Sequence, residues 1–296
     1  MGGISPLRTA YRSLREPHET DAHTGPSGGR NIMQELLERF FQASAWTMQT
    51  PVPYSPFHLS LTALGVCAAA WMARRLAAGP RKHVLFVCGL VLAASELYKQ
   101  GFLYYIVNGR SYDWWYFPFQ LCSVPMYLCL AVPLLSRPEY ARARRTACTF
   151  IQDYGLLGGF MALAEPSGLL HSYWTLTLHG LCWHFMLIFL GLYCAQSGES
   201  DREPAAFLRT LPLFAACCAA AALINIAAHP YGNADMFYIS PYYPNEQIVF
   251  HRIALEIGIT AGNLIYLTGV ALGGFICHLG CRYCLHSAKT LPDSRR

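Results

Sequence analysis

Two residues stand out for the chemistry they could share. Cys122 lies in the apolar stretch Phe117–Leu135 and His179 in the apolar stretch Trp174–Cys194. Each sits five residues past the start of its stretch, about 8 Å along a helix axis at the α-helical rise. The thiolate is the reactive form of cysteine, and a neighbouring imidazole favours it or takes its proton. Such a pair can hold an acyl group as a thioester, and an ester carbonyl near the headgroup boundary suits that depth. A lone membrane thiol is more often structural than reactive. The pair therefore gains meaning only if other elements bring polar groups to the same place.

Those elements follow from composition. The chain has 296 residues, of which 54% are hydrophobic and 13% charged, with a mean hydropathy of +0.27. A soluble domain carries about a quarter charged residues, so the expected fold is an all-α integral membrane protein. The pattern predicts a bundle of about seven transmembrane helices with an N-terminal amphipathic helix. The spans read as Phe57–Leu76, Val84–Val107, Phe117–Leu135, Thr146–Ala164, Trp174–Cys194, Phe207–Ala228 and Ile253–Leu279. Each comes close to the length that a hydrocarbon core of about 30 Å requires. Residues 1–30 read as a disordered tail and 31–50 as an amphipathic helix in the interface. Residues 55–280 form the seven-helix domain and 281–296 a cytoplasmic tail. The amphipathic face is Ile32, Met33, Leu36, Leu37, Phe40 and Phe41. Pro125 and Pro133 should kink the third span. Gly258, Gly262, Gly269 and Gly273 form two small-residue motifs suited to close helix packing.

The net charge of +5 lies in short loops and tails, where it sets topology. It forms no patch interleaved with aromatics, so no nucleic-acid partner is expected. Arg74, Arg75, Arg81 and Lys82 share one side with Arg137, Arg142, Arg144, Arg145, Arg202, Arg209, Arg282, Lys289, Arg295 and Arg296. The alternate loops hold Arg110 and little else before Arg252. This alternation places the C-terminus in the cytoplasm and Cys122 and His179 in the opposite leaflet. The membrane would be the endoplasmic reticulum or another endomembrane if the source is eukaryotic.

Ionisable groups inside a bilayer are costly, so their positions inform. Glu96 and Lys99 fall in the outer half of the second span, and Asn225 near the outer end of the sixth. His171 flanks the fifth span, and the loop 229–251 adds His229, Asn233, Asp235 and His251. Glu96 or Asn225 could fix the His179 tautomer. Gln120, Asn225 or backbone N–H groups near Pro118 could donate to a developing oxyanion. The aromatic run Phe237–Pro244 reads as a lid over the site or as an interfacial belt. His184 is off the His179 face and reads as packing or a partner. Twelve cysteines, mostly in apolar spans, imply no disulfide framework. Cys277, His278, Cys281, Cys284 and His286 crowd into one short run, whereas structural zinc motifs separate two ligand pairs around a folded loop. Neither a metal nor a cofactor is expected, and juxtamembrane cysteines of this kind are often S-palmitoylated.

Phe117-Pro118-Phe119-Gln120-Leu121-Cys122-Ser123, with Glu96 one span earlier, resembles the transmembrane protein 164 family and its bacterial integral-membrane relatives. His171-Ser172-Tyr173, His179-Gly180, Asn225 and the stretch from Asn233 to Pro241 continue the match in order, over roughly residues 55–280. The resemblance implies a multi-pass lipid acyltransferase working through a Cys–His pair, which here would be Cys122 and His179. Its substrates would be phospholipids and lysophospholipids, of the ether class in the animal members. Water as acceptor would make the same machinery a hydrolase. The competing reading is a transporter or non-catalytic membrane protein in which Glu96, Lys99, Asp153 and Glu256 line a polar path.

Overall fold

The computed structural model describes residues 32–79 and 83–290, with side chains as far as Cys284. The expected tail 1–30, Asn31, the loop charges Arg81 and Lys82, the side chains of His286 and Lys289, and the tail residues Arg295 and Arg296 lie outside the described residues. The chain divides into two compact units, residues 1–37 and 38–296. Of the first, only residues 32–37 are described, and they are helical. Among the described residues the chain is helical, with no strand. Among the described residues, five helices are long and apolar enough to cross a membrane: Pro56–Ala77, Val84–Val107, Trp174–Ser197, Pro204–Tyr231 and Ile259–Cys284.

Helix α1 covers Ile32–Gln42, eight residues short of the expected end at 50. The reason lies in residues 46–48, whose backbone groups pair elsewhere. Trp174 N donates to Trp46 O at 3.0 Å and Met48 N to Ser172 O at 2.8 Å, so no i−4 ladder continues. Phe41 is buried, stacked on Tyr105 and packed on Tyr98. Helix α2 (Pro56–Ala77) starts where the Ser55 hydroxyl accepts from His58 N and proline takes the first turn. Helix α3 (Val84–Phe102) runs on into a π-helical turn, Leu103–Val107.

The third stretch departs most from expectation. Residues 117–120 are not helical. The helix is assembled from a 3-10 turn (Leu121–Ser123), α4 (Val124–Ala131) and a second 3-10 turn (Val132–Leu135). Pro125 and Pro133 fall in the first turns of the second and third pieces, where a missing N–H costs nothing. The Pro118 carbonyl takes the Tyr127 hydroxyl at 2.6 Å.

Helix α5 (Ala141–Ala164) and helix α6 (Trp174–Ser197) lie against each other at the centre. A Cβ at Gly159 would fall 2.6 Å from Ile188 Cγ1 and 3.1 Å from His184 O, so glycine is what lets the two backbones approach. Cys148, Ile151, Leu187, Leu190, Tyr193 and Cys194 are fully buried along this seam. Helix α7 (Pro204–Ala228) adds Phe214, which stacks on Tyr154 at 4.9 Å.

The last apolar stretch is two helices, α8 (Ile248–Ile257) and α9 (Ile259–Thr290), not one. Gly258, at φ 92 and ψ 156, makes the corner, a backbone region essentially reserved for glycine. The halves fold back on each other: the Gly262 face meets Ala254, the Gly269 face meets Phe250, and Phe250 meets Tyr266 at 5.0 Å. Gly262, Gly269 and Gly273 are packing glycines as expected, whereas Gly258 is a hinge.

Substituting Gly258→Ala should lower stability by about 1–3 kcal/mol through backbone strain alone, since open space surrounds its Cβ position. Gly168→Ala, also facing open space, should stay within about 0.5 kcal/mol of wild type. Thermal unfolding in detergent compares the two, and equal melting temperatures would reject the strain assignment.

Candidate functional site

The polar residues of α3 and α6 meet in one cluster. Glu96 is 5% exposed; one carboxylate oxygen accepts from Lys99 Nζ and Gln100 Nε2, each at 2.7 Å. The other oxygen lies 3.9 Å from His179 Nε2. His179 Nδ1 is hydrogen-bonded to Ser95 Oγ at 2.9 Å. The imidazole is thus held on one nitrogen by a hydroxyl and faces a carboxylate with the other. Spacing on α3 makes this possible: residues 96, 99 and 100 share one face, and Ser95 borders it. Burying a carboxylate in an apolar bundle without such partners is costly.

Ser95, Lys99, Leu176, Leu178, His179 and Cys182 line an open groove of about 340 Å³ between α3 and α6. Cys122 is linked to the same cluster through Trp183. Its carbonyl accepts from Trp183 Nε1 at 3.1 Å, and the Trp183 ring sits 5.5 Å from that of His179. Cys122 is within electrostatic reach of Lys99 and Glu96, and Tyr238 and Tyr266 are within reach of Cys122. The imidazole's hydrogen bond goes to Ser95, however, and not to the Cys122 thiol. One indole joins the two sequence-predicted residues.

The segment between α7 and α8 is folded inward. Asp235, Met236, Phe237, Ile239 and Ser240 are buried, and Phe237 and Tyr238 adopt left-handed backbone at φ 60 and 56. Three side-chain amides hold it. Gln120 accepts from Phe237 N at 2.8 Å and donates to Asp235 O at 2.9 Å. Asn225 accepts from Met236 N at 2.6 Å and donates to Met236 O at 3.1 Å. Asn263 on α9 donates to Ser240 O at 3.0 Å. Asp235 accepts from Ser240 N at 2.8 Å, while its second oxygen has no partner. Burial pushes this carboxyl from the ordinary 3.8 to about 7, against the lowering effect of the Ser240 N–H and with a further push from Glu246.

A model of the TMEM164 family matches residues 50–268. The chain belongs to the TMEM164 family. The matched region contains the cluster, Cys122 and the inward-folded segment. No curated protein and no solved structure matches the chain.

Within this TMEM164 framework the expected site residues separate into two groups. Glu96 and His179 come together, with His171 within electrostatic reach of the imidazole, whereas Cys122 is tied to His179 through the Trp183 indole and not by a contact of its thiol. Gln120 and Asn225 are instead engaged at both ends of their amides by residues 235–237. Of the backbone N–H groups near Pro118, that of Phe119 bonds to Phe117 O. Asn233 is exposed on the loop, away from the cluster. The aromatic run is not an interfacial belt over Phe237–Ser240, which is interior; Tyr242, 43% exposed, stacks on His229. His184 bonds to Gly180 O of its own helix. Ser95, Trp183 and Asn263 were not singled out by sequence. Ser95 precedes Glu96 and Trp183 follows His179 by one turn, and that adjacency was the available signal.

Replacing Asn225 with leucine should leave the Met236 N–H and C=O unpaired, at about 1–3 kcal/mol for each buried group. Limited proteolysis should then cut within residues 232–247 sooner than in wild type; an unchanged pattern would remove the clamp role. Because the folded-state pKa of Asp235 is raised, its proton stabilises the fold fully below about pH 4 and that stabilisation fades as pH rises through 7. Melting temperature should therefore fall between pH 5 and 8 by less in Asp235→Asn than in wild type, and parallel curves would contradict this.

Proposed function

We propose that this protein moves a fatty acyl group from a phospholipid onto a lysophospholipid, through a thioester on Cys122 with His179 as the base. The observation that carries the reading is the His179 imidazole, held by Ser95 and backed by Glu96 at the wall of an open groove, with Trp183 tying it to Cys122. His179 Nε2 is the nitrogen free to exchange a proton, and the Glu96 carboxylate favours the imidazolium that forms. His179 takes the Cys122 thiol proton as the sulfur attacks the ester carbonyl carbon, the carbon–oxygen bond breaks, and the departing lysolipid oxygen takes that proton from His179. The acceptor hydroxyl then gives its proton to His179, attacks the thioester carbon and releases the thiolate, which regains the proton from His179. Membership of the TMEM164 family agrees with a multi-pass membrane setting.

The reading extends to topology. We count seven crossings, adding Leu121–Leu135 and Ala141–Ala164 to the five long apolar helices. The first is short at 15 residues, but residues 117–120 extend it. The second is long enough, with Arg142, Arg144 and Arg145 at its entrance and Asp153 paired inside. Helix α1 then lies along the interface through its apolar face. The C-terminus is cytoplasmic by the distribution of basic loops, in an endomembrane such as the endoplasmic reticulum.

Purified protein in vesicles, given labelled phospholipid and a lysophospholipid, tests the chemistry. Cys122→Ala should abolish transfer and the hydroxylamine-sensitive acyl adduct on the protein. His179→Ala should reduce transfer by about 10²–10⁴-fold, the range for loss of a general base. Wild-type transfer by the Cys122→Ala protein would end the proposal.

A further inference from the structure

We infer that Lys99 is the phosphate anchor of a lipid site in the α3–α6 groove. The groove has the two characters such a ligand needs. At one side stands the Lys99 ammonium, only 17% exposed. Along the other, Leu178 and Cys182 of α6 are exposed on the groove wall beside buried Leu176, and exposed apolar side chains on a membrane helix face acyl chains.

The charge arrangement favours an anion. An ammonium has three donors, and one is accounted for by Glu96 Oε1. That same oxygen also accepts from Gln100, and Oε2 is turned to His179. The Glu96 charge is therefore divided among several donors, which leaves Lys99 able to take a second, external acceptor. The Tyr116 ring 6.0 Å from Nζ closes one flank without supplying a negative charge. A phosphodiester supplies one negative charge and free oxygens, and a lysine binds it as a point charge on a flexible stem. The long stem also lets the ammonium reach toward the headgroup level. One carboxylate separates Lys99 from His179, so a lipid whose phosphate rests on Lys99 would lay its glycerol esters near the imidazole and its chain along Leu178 and Cys182. This rests on the acyl-transfer reading and adds to it the residue that would select a phosphate-bearing lipid over a neutral glyceride.

Binding, not turnover, is the test. Native mass spectrometry of the full-length protein in nanodiscs would compare a lysophospholipid with a monoacylglycerol of the same chain. Wild type should prefer the lysophospholipid by about tenfold, the worth of one charged hydrogen bond. Lys99→Gln should lose the preference and Lys99→Arg should keep it, which also guards against a folding defect. Millimolar inorganic phosphate should not displace the lysophospholipid from wild type. A preference retained in Lys99→Gln, one lost in both variants, or displacement by free phosphate would each overturn the assignment. A Lys99-dependent preference together with full transfer by Cys122→Ala would instead leave the anchor standing and remove the thioester mechanism.

Discussion

Non-helical backbone inside an apolar helical bundle must find partners for every N–H and C=O, because neither solvent nor lipid supplies them. Residues 235–245 meet that requirement through side-chain amides from three separate elements. Gln120 precedes α4, Asn225 stands on α7 and Asn263 on α9, while Asn245 reaches back to the carbonyl of Tyr238. The clamp also sustains left-handed backbone at Phe237 and Tyr238, which costs about 1–2 kcal/mol per residue and persists only where the surroundings over-determine it. The helical hairpin of α8 and α9 follows from the same constraint. It brings Asn263 and Tyr266 beside the folded segment.

Cys122 inherits its position from this clamp. Gln120, two residues earlier, is fixed at both ends of its amide to the inward-folded segment. Trp183 fixes the Cys122 carbonyl from α6. The short 3-10 turn of Leu121–Ser123 thus runs between two anchors, one on the loop and one beside His179. A turn held this way can keep a thiol close to a charged cluster without any direct bond between sulfur and imidazole.

Much of this was legible in the sequence, and the parts that were not share a cause. Apolar stretches of helical length gave the spans Phe57–Leu76, Val84–Val107, Trp174–Cys194 and Phe207–Ala228 to within three residues at each end, because burial and backbone satisfaction act locally along one helix. Intramembrane charge pointed to Glu96, Lys99 and His179 for the same reason. What sequence missed depends on contacts between distant segments. The amides Gln120 and Asn225 read equally well as oxyanion donors or as backbone clamps, and only the fold of residues 235–240 decides between them. The Gly258 corner was hidden because an apolar run shows no break when the break is a glycine. The early end of α1 depends on a pairing with residues 172–174, which no local pattern announces.

The position of the second buried charge argues against a polar path through the bundle. Asp153 and His278 are both fully buried, with His278 Nδ1 at 3.0 Å from the carboxylate and Nε2 at 3.1 Å from Glu203 O. Gln152 donates to the same carboxylate and accepts from Ser200. Every strong donor and acceptor there is directed at a neighbouring helix end, tying α5 and α9 to the turn between α6 and α7. Glu256, the other member of the path expected of a transporter, is exposed on α8. The three acids of that path, Asp153, Glu256 and Glu96, thus occupy separate settings: one tie, one exposed position, and one cluster that opens on a groove. Among the described members of that path, only the last combines a buried acid, an imidazole and an open groove.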